Sequence, residues 1–219
     1  MYVMPERLQV LVTGASRGIG RACSVRFAAA GHEVTALART EAQLKELQKS
    51  TPGILPLIAD LTAPFDLAST YDVVVLNAGY YAPGGLLDPD RDIFADSWPL
   101  NVMANHRLAR LLVPRMLERG GGHLIAIGST STDDTSPQMT AYAATKKALR
   151  ALYEGWQQEL VETQVRTTLI APGATLTSSW DGEVPPAVIL QPEEVADLVY
   201  RAVSEKLTGR LVIKAGDQS

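Results

Sequence analysis

The chain has 219 residues, of which 46% are hydrophobic and 20% are charged, and it carries a net charge of −4 with a sequence pI of about 5.4. This composition is that of an ordinary globular protein, and the acidic balance argues against a nucleic-acid-binding protein, which usually presents a basic face. Cys23 is the only cysteine, which excludes an internal disulfide and a zinc site built from cysteines.

We expect one domain over 1–219 in a reducing cytoplasm, where a single unpaired cysteine is ordinary. The N-terminal segment MYVMPERLQVLVTG contains charged residues and no long apolar core, so it does not resemble a signal peptide. No run approaches the roughly 18 apolar residues that a membrane-spanning helix needs. We therefore expect no membrane, nucleic acid or metal among the partners.

In the first part of the chain, short apolar runs alternate with longer segments of helical pattern. Strands are predicted at 8–13, 33–38, 54–59 and 72–79, and helices at 19–31 and 41–49. The first strand is followed by a glycine-rich turn, and Gly31 is a suitable C-cap residue for the first helix.

The second part of the chain continues the alternation. A long helix is predicted from about 92 to 118, with Pro99 near its start and a kink at Pro114. Strands at 123–129, 165–173 and 210–216 and helices at 137–162 and 192–205 follow. The alternation predicts an α/β fold with a doubly wound, mostly parallel sheet and helices on both faces. Ligands of such folds bind beyond the carboxyl ends of the strands.

The turn after the first predicted strand, TGASRGIG at 13–20, is rich in glycine. Gly14, Gly18 and Gly20 allow a tight turn and a close approach of the main chain to a ligand. The helix that follows offers free N–H groups at its N-terminus, which suit a pyrophosphate. The spacing Gly-x-x-x-Gly-x-Gly differs from the better-known Gly-x-Gly-x-x-Gly, but the strand–turn–helix context is that of a dinucleotide site.

A tyrosine and a lysine stand four residues apart in the segment AYAATKKAL at 141–149. Residues at i and i+4 share one face of a helix, so Tyr142 and Lys146 point into the same space. A nearby cation favours the ionised phenol, and we expect Lys146 to lower the pKa of Tyr142 from its usual value of about 10. On its own this pair is also common on solvated helix faces.

TGASRGIG, the NAG at 77–79 and Tyr142-x-x-x-Lys146 together resemble the short-chain dehydrogenase/reductase family, in order and over nearly the whole chain. The resemblance implies a Rossmann-type sheet of about seven strands and a nicotinamide cofactor. It also implies a small carbonyl or alcohol substrate and a homo-oligomer, a dimer or tetramer, packed through the long helix and the helix of Tyr142.

The resemblance further implies four catalytic residues. Tyr142 corresponds to the tyrosine that gives a proton to the substrate oxygen, and Lys146 to the lysine that holds the nicotinamide ribose and lowers the pKa of that tyrosine. Ser129 corresponds to the serine that orients the carbonyl, and Asn101 to the asparagine whose backbone supports a water chain for proton resupply. The cofactor supplies the hydride, and the protein supplies position and electrostatics.

The cofactor site implied by the resemblance lies at the ends of several predicted strands. Its positions are Gly14, Ser16, Arg17, Gly18, Ile19, Gly20, Arg39, Asp60, Leu61, Asn77, Ala78, Gly79, Tyr142, Lys146, Pro172, Gly173, Thr175 and Thr177. Asp60 corresponds to the residue that binds the adenine amine. Pro172 and Gly173 belong to the segment that closes on the nicotinamide carboxamide, where either Thr175 or Thr177 makes the polar contact.

The end of the second predicted strand distinguishes NAD from NADP. An acidic residue there binds the 2′-hydroxyl of NAD, whereas an arginine accommodates the 2′-phosphate of NADP. The strand ends at Ala38 and Arg39 follows at once, while Arg17 in the glycine turn can approach the same phosphate. We therefore predict NADPH/NADP as the cofactor.

Two segments are shorter than the resemblance leads us to expect. The stretch 61–71 leaves little room for the usual helix after the third strand. The stretch 174–191, where a substrate lid is expected, is brief and predicts an open pocket. Tyr80, Tyr81 and Trp180 are candidates for its apolar walls or for ordinary packing.

Three functions remain in competition. The first is an NADPH-dependent reductase of a ketone or aldehyde. The second is a 3-oxoacyl-thioester (acyl-carrier-protein) reductase, whose acidic carrier requires a basic patch. The candidates for that patch are Arg107, Arg110, Arg115 and Arg119. The third is a non-catalytic NADPH-binding sensor or scaffold, against which the presence of Ser129, Tyr142 and Lys146 argues.

Overall fold

Seven parallel strands form one sheet in the computed structural model, which describes residues 4–84, 86–87, 91–182 and 184–216. The strands are β1 (Gln9–Thr13), β2 (Glu33–Ala38), β3 (Ile54–Ile58), β4 (Val73–Leu76), β5 (Gly122–Ile127), β6 (Val165–Pro172) and β7 (Gly209–Ile213). Their order across the sheet is β3-β2-β1-β4-β5-β6-β7, and every neighbouring pair is parallel. The predicted Rossmann-type sheet is confirmed, and its strand order reverses between β1 and β4, where such folds bind their ligands.

The described residues form six α-helices between the strands. They are α1 (Gly18–Ala29), α2 (Glu41–Ser50), α3 (Ile93–Trp98), α4 (Asn105–Glu118), α5 (Thr140–Glu159) and α6 (Pro192–Ser204). The single helix predicted from 92 to 118 is instead divided by a π-helical turn, Pro99–Ala104. Proline has no N–H to give to the helical ladder, which favours an irregular turn at Pro99, whereas Pro114 lies inside α4 without ending it. None of these six helices is long and apolar enough to cross a membrane.

Helices cover both faces of the sheet, so its central strands are almost wholly buried. On one face, Phe27 of α1, Leu44 of α2 and Val199 of α6 belong to one buried cluster with residues of the strands. On the other face, Leu108 of α4 and Tyr153 of α5 belong to a second cluster. Because all strands are parallel, their carboxyl ends meet at one edge, and the motif residues that follow them gather there.

The connection from β3 to β4 contains no helix, as the shortness of 61–71 predicts. Arginines of α4 bind its main chain instead. Arg107 Nη2 donates to the Leu61 carbonyl oxygen at 2.5 Å, and Arg115 Nη1 donates to the carbonyl oxygen of Leu67. These guanidinium groups satisfy main-chain acceptors that a helix would satisfy internally.

A third arginine, Arg119, directly follows α4 and binds the end of the same connection. Arg119 Nη2 lies 2.6 Å from Oδ1 of Asp72, a buried carboxylate whose Oδ2 accepts from the Gln9 N–H at 2.7 Å. Three of the four arginines that could form a carrier-binding patch are therefore engaged within the chain, and the fourth, Arg110, is exposed.

Candidate active site

The glycine turn joins β1 to α1 and requires glycine at three positions. Gly14 and Gly18 have φ angles of +65° and +53°, in the left-handed region that side chains rarely adopt. At Gly20, a Cβ atom would lie 2.4 Å from the Gly14 carbonyl oxygen and 2.5 Å from Asn77 Nδ2. The result is a cradle without side chains at the N-terminus of α1, whose first N–H groups have no partner within the helix. The other predicted residues of the turn are the half-buried Ser16 and Ile19 and the exposed Arg17.

Asn77 braces this turn with its side chain. Its Nδ2 donates to the carbonyl oxygens of Thr13 and Gly14, at 2.8 and 3.3 Å. The Thr13 hydroxyl accepts from the N–H groups of Asn77 and Ala78, at 3.0 and 2.9 Å. These bonds join the carboxyl ends of β1 and β4, on either side of the point where the strand order reverses. Gly79 follows, exposed and without a side chain, and leaves room beside the cradle.

Arg39 and Asp60 lie together beyond the carboxyl ends of β2 and β3. Arg39 Nη1 is 4.0 Å from Asp60 Oδ2, and the arginine side chain is 68% exposed. Asp60 accepts hydrogen bonds from the N–H and the hydroxyl of Thr62, at 2.8 and 2.7 Å, and these bonds hold the pKa of its carboxyl below its ordinary value. Leu61 is buried in the core. The end of β2 itself carries no carboxylate, since the last residue there is Ala38.

Ser129 and Tyr142 meet at the carboxyl end of β5. The Tyr142 ring keeps part of its surface exposed, but protein atoms crowd the phenol. This burial raises the pKa of Tyr142 to about 12, although a hydrogen bond with the Ser129 hydroxyl lowers it. The ring of Tyr81 stands edge-on to that of Tyr142, with centroids 5.1 Å apart and planes at 80°. Tyr81 therefore packs against the proposed proton donor, and its role as a wall of the pocket stays a prediction.

Lys146 lies one helical turn along α5 from Tyr142 and is only 5% exposed. Its Nζ donates to the Ile127 carbonyl oxygen at 2.8 Å and is 5.7 Å from the centroid of the Tyr142 ring. Burial lowers the pKa of this ammonium to about 8. The prediction that Lys146 lowers the pKa of Tyr142 is wrong in this structure, because the ammonium is directed at the Ile127 carbonyl and burial of the phenol dominates.

Asn101 occupies the π-helical turn and is fully buried. Its Oδ1 accepts from the Tyr80 N–H at 2.6 Å, while its Nδ2 donates to the Tyr80 carbonyl at 2.9 Å and to the Thr145 hydroxyl at 3.0 Å. Its own carbonyl oxygen accepts from Asn105 Nδ2 at 2.9 Å. Asn101 thus joins the segment after β4 to Thr145 of α5, which directly precedes Lys146. The resemblance implies a role for the main chain of Asn101, and the structure shows in addition that its side chain braces these elements.

Sequence reasoning also missed the ion pairs that fix the loop after β5. Asp133, four residues beyond Ser129, pairs with Arg210 of β7 and with Arg150 of α5, the latter at 3.1 Å. The Arg210 and Arg150 guanidinium groups hold the pKa of the Asp133 carboxyl below its ordinary value. The loop that carries Ser129 is therefore anchored to two other elements. No local pattern signals these pairs, since both partners are distant in the sequence.

The two threonines left as alternatives occupy different environments. Thr175 is buried, and its hydroxyl donates to the Gly173 carbonyl oxygen at 3.0 Å. Thr177 is half-buried and lies against the glycine turn, since a Cβ atom at Gly18 would be 3.0 Å from Thr177 Cγ2. Pro172, the last residue of β6, is buried. The Thr177 hydroxyl is engaged with the hydroxyl and the N–H of Ser179, at 2.7 and 3.3 Å. Which of the two threonines makes the polar contact stays a prediction.

The segment 174–191 is closed at its base by main-chain hydrogen bonds. The Leu190 N–H donates to the Ala174 carbonyl oxygen at 3.0 Å. Trp180 Nε1 donates to a main-chain carbonyl of the same segment at 3.0 Å, so this tryptophan braces the segment. Glu183 lies outside the described residues, and the open pocket stays a prediction.

Known proteins resemble this chain over most of its length. A family model described as short chain dehydrogenase matches residues 9–185. An uncharacterized short-chain type dehydrogenase/reductase of Sinorhizobium fredii is 34% identical over 187 residues, which are 81% of this chain and 74% of the relative. Carbonyl reductase (NADPH) 2 of Sus scrofa is 29% identical over 178 residues, which are 78% of this chain and 73% of the relative. A solved short-chain dehydrogenase from Sphingobium yanoikuyae in complex with NADPH has a TM-score of 0.84 and 28% identity, covering 96% of this chain and 89% of that one.

Several of the relatives are longer than the region they share with this chain. The chain spans 74% of the Sinorhizobium fredii protein, but only 56% to 63% of the next four curated relatives that it matches. The substrates and partners of the longer proteins do not carry over to this chain.

Proposed function

The chain belongs to the short-chain dehydrogenase/reductase family, and we propose that it is an NADPH-dependent reductase that converts a ketone or aldehyde into an alcohol. The observation that carries the proposal is the convergence of Ser129, Tyr142 and Lys146 at the carboxyl end of β5. Lys146 Nζ lies 3.7 Å from where a Cβ atom of Gly79 would stand, so this group borders the space beside Gly79.

The residues of the cradle fit a dinucleotide. Gly14, Gly18 and Gly20 leave a surface without side chains at the N-terminus of α1, which suits a pyrophosphate. Asp60 would hold the adenine end, and Lys146 the nicotinamide ribose. When bound, NADPH supplies the hydride.

The chain supplies the proton and orients the carbonyl group of the substrate. Tyr142 donates its phenolic proton to the carbonyl oxygen of the substrate, and the Ser129 hydroxyl donates a hydrogen bond to the same oxygen, so the developing charge meets two donors. A pKa of about 12 keeps Tyr142 protonated at neutral pH, which suits the reductive direction. Lys146, whose Nζ lies 5.7 Å from the centroid of the Tyr142 ring, is assigned to the nicotinamide ribose and not to the phenol.

The preference for NADPH is supported at the ends of β1 and β2. The guanidinium groups of Arg17 and Arg39 are both exposed, and Ala38 leaves no carboxylate to bind a ribose 2′-hydroxyl. Arginine suits a phosphate because its planar fork can donate two hydrogen bonds. Two proteins similar to this chain, carbonyl reductase (NADPH) 2 and the Sphingobium yanoikuyae enzyme, are named or solved with NADPH.

The cofactor proposal predicts unequal stabilisation by the two dinucleotides. At about 100 times its Kd, NADPH is expected to add about 2.7 kcal/mol to the free energy of unfolding, which raises Tm by roughly 5–11 °C. NADH at the same concentration is expected to raise Tm clearly less. Arg39→Ala is expected to weaken NADPH about 10- to 100-fold, the value of a charged hydrogen bond, and to leave NADH unchanged. Thermal shift and fluorescence titration measure both effects, with Lys45→Ala on α2 as the control for an exposed cation.

The outcomes separate the parts of this proposal. Equal shifts with both dinucleotides, or a preference for NADH, would overturn the role of Arg39 and leave the reductase in place. No shift with either would overturn the cofactor site itself. Turnover of NADPH with a panel of ketones and aldehydes then tests the reaction.

The alternative of an acyl-carrier-protein reductase gains no support from the α4 arginines. Arg107, Arg115 and Arg119 bind the crossover between β3 and β4 and do not form an unengaged basic patch. The proximity of Ser129 and Tyr142 argues against a non-catalytic sensor or scaffold. Measuring turnover tests this alternative, since a sensor or scaffold would show none.

The proposed homo-oligomer is supported by an apolar groove of about 440 Å³ on the outer face of the helices. Its lining residues are Trp98, Val102, Met103, His106, Ala148, Ala151 and Leu152. The long helical region and α5 are the elements through which the resemblance implies packing of a second copy. The oligomeric state and the cytoplasmic location both stay predictions.

A further inference from the structure

Arg107 binds the main chain of Leu61 across the crossover that lacks a helix. Arg107 Nη2 donates to the Leu61 carbonyl oxygen at 2.5 Å, and the two residues are 46 positions apart in the sequence. Leu61 follows Asp60, which is assigned to the adenine end of the cofactor site. We propose that Arg107 is a positioning residue for this end of the site, acting through the main chain of Leu61. This inference rests on the proposed function.

The crossover needs such support because it has little main-chain structure of its own. The Ala59 N–H donates to the Ala38 carbonyl at 3.1 Å, and the Ala63 N–H to the Asp60 carbonyl at 3.1 Å. From there to Asp72, the main chain makes no hydrogen bond to other main chain of the described residues. Side-chain contacts, including those from Arg107 and Arg115 of α4, therefore hold this segment.

Leu61 is buried, and its main chain is bound from α4. Its side chain is 3% exposed and belongs to the buried cluster on this face of the sheet, which also contains Leu108 of α4. Its carbonyl oxygen accepts from Arg107, one residue before Leu108. The Asp60 carboxylate is adjacent, and it in turn lies 4.0 Å from Arg39. Arg107, Leu61, Asp60 and Arg39 thus form a continuous series of contacts from α4 to the region proposed for the adenosine 2′-phosphate.

Removing the hydrogen-bond donor of Arg107 is expected to weaken binding at the adenosine end of the site and to leave the rate of the chemical step unchanged. Arg107→Met keeps the apolar stem and loses the donor. We expect the Kd values of NADPH and of adenosine 2′,5′-bisphosphate, a probe of the adenosine end alone, to rise together by about tenfold. We expect kcat at saturating NADPH to stay at the wild-type value, while KM for NADPH rises. Arg107→Lys restores a donor and is expected to recover most of the affinity.

Arg110→Met is the matched control, since Arg110 is an exposed arginine on the same helix. Equal affinities in Arg107→Met and Arg110→Met would overturn the proposal, as would a fall in kcat as large as the loss of affinity. Should Arg107→Met fail to fold, the shorter Arg107→Gln variant decides: weaker binding of the bisphosphate with an unchanged kcat supports the proposal, and wild-type affinity overturns it. Failure of the wild-type protein to bind NADPH or the bisphosphate would instead overturn the proposed function.

Discussion

Tyr142→Phe is expected to lower kcat for carbonyl reduction by about 10²–10⁴-fold and to leave the Kd for NADPH nearly unchanged. The phenol is the proposed proton donor, and its pKa of about 12 keeps the proton in place at neutral pH. Phenylalanine keeps the ring that packs edge-on against Tyr81, so the shape of the pocket is preserved. Steady-state kinetics with a ketone or aldehyde, together with fluorescence titration of NADPH, measure the two quantities.

A second tyrosine on the same helix provides the control for this substitution. The Tyr153 hydroxyl donates to the Thr167 carbonyl at 3.3 Å, in the buried layer between α5 and the sheet. Tyr153→Phe is expected to lower the free energy of unfolding by about 1 kcal/mol and to leave kcat unchanged. Undiminished reduction by Tyr142→Phe would show that the proton comes from another group. A loss of NADPH binding in parallel with kcat would point to a damaged site.

The overall fold could be predicted because it depends on patterns that are local in the sequence. Apolar runs of strand length alternate with helical periodicity, and the seven predicted strands lie within a few residues of those observed. The glycine turn could be assigned for the same reason, since Gly14, Gly18 and Gly20 are fixed by the geometry of one strand–turn–helix unit. The i,i+4 spacing correctly placed Tyr142 and Lys146 on one side of α5.

The electrostatics of the site depended on contacts that local patterns do not contain. Lys146 was expected to lower the pKa of Tyr142, but its Nζ binds the Ile127 carbonyl, which belongs to a different element. The pKa of the phenol is raised by burial, which follows from packing around α5 and β5. The position of a cation along the chain does not fix where its charge is directed.

The long side chains were the hardest to assign from the sequence. Arg107, Arg115 and Arg119 follow a spacing typical of a solvated helix face, and only the fold shows that they bind the crossover between β3 and β4. The side chains of Asn77 and Asn101 likewise brace main chain from other elements. The shortness of 61–71 predicted that the helix between β3 and β4 is missing. The absence of that helix explains why these arginines bind main chain there, which the sequence alone did not show.

His123 is a buried histidine held in its neutral form at the amino-terminal end of β5, away from the proposed active site. Its Nε2 lies 2.8 Å from Thr168 Oγ1, and that hydroxyl donates its own proton to the Leu207 carbonyl at 2.7 Å. Nε2 must therefore be the donor to Thr168, and the buried Nδ1 has no hydrogen-bond partner among the described residues. Burial, with a smaller effect of the Arg166 guanidinium, lowers the pKa of His123 from 6.5 to about 3.

The free energy of unfolding is expected to fall as the pH decreases from 6.5 towards 3, by about 4 kcal/mol over the whole window. The unfolded chain protonates His123 below pH 6.5 while the folded chain does not, so the unfolded state binds more protons and gains stability there. Between about pH 7.5 and pH 5, the wild type is expected to lose about 2 kcal/mol more than His123→Gln, which keeps an amide donor near Nε2. Urea unfolding at the two pH values measures this difference.

Comparing the two proteins isolates His123 from the other groups that titrate in this range. The pKa of His32 is also lowered, by burial and by the Arg26 guanidinium, but His32 is present in both proteins and its contribution cancels in the difference. Because His123 lies at the opposite end of β5 from Ser129, the substitution is expected to leave kcat at pH 7.5 at the wild-type value. Equal losses of stability in the two proteins would contradict a neutral, buried His123, because a ring that takes up its proton equally in both states cannot link unfolding to pH.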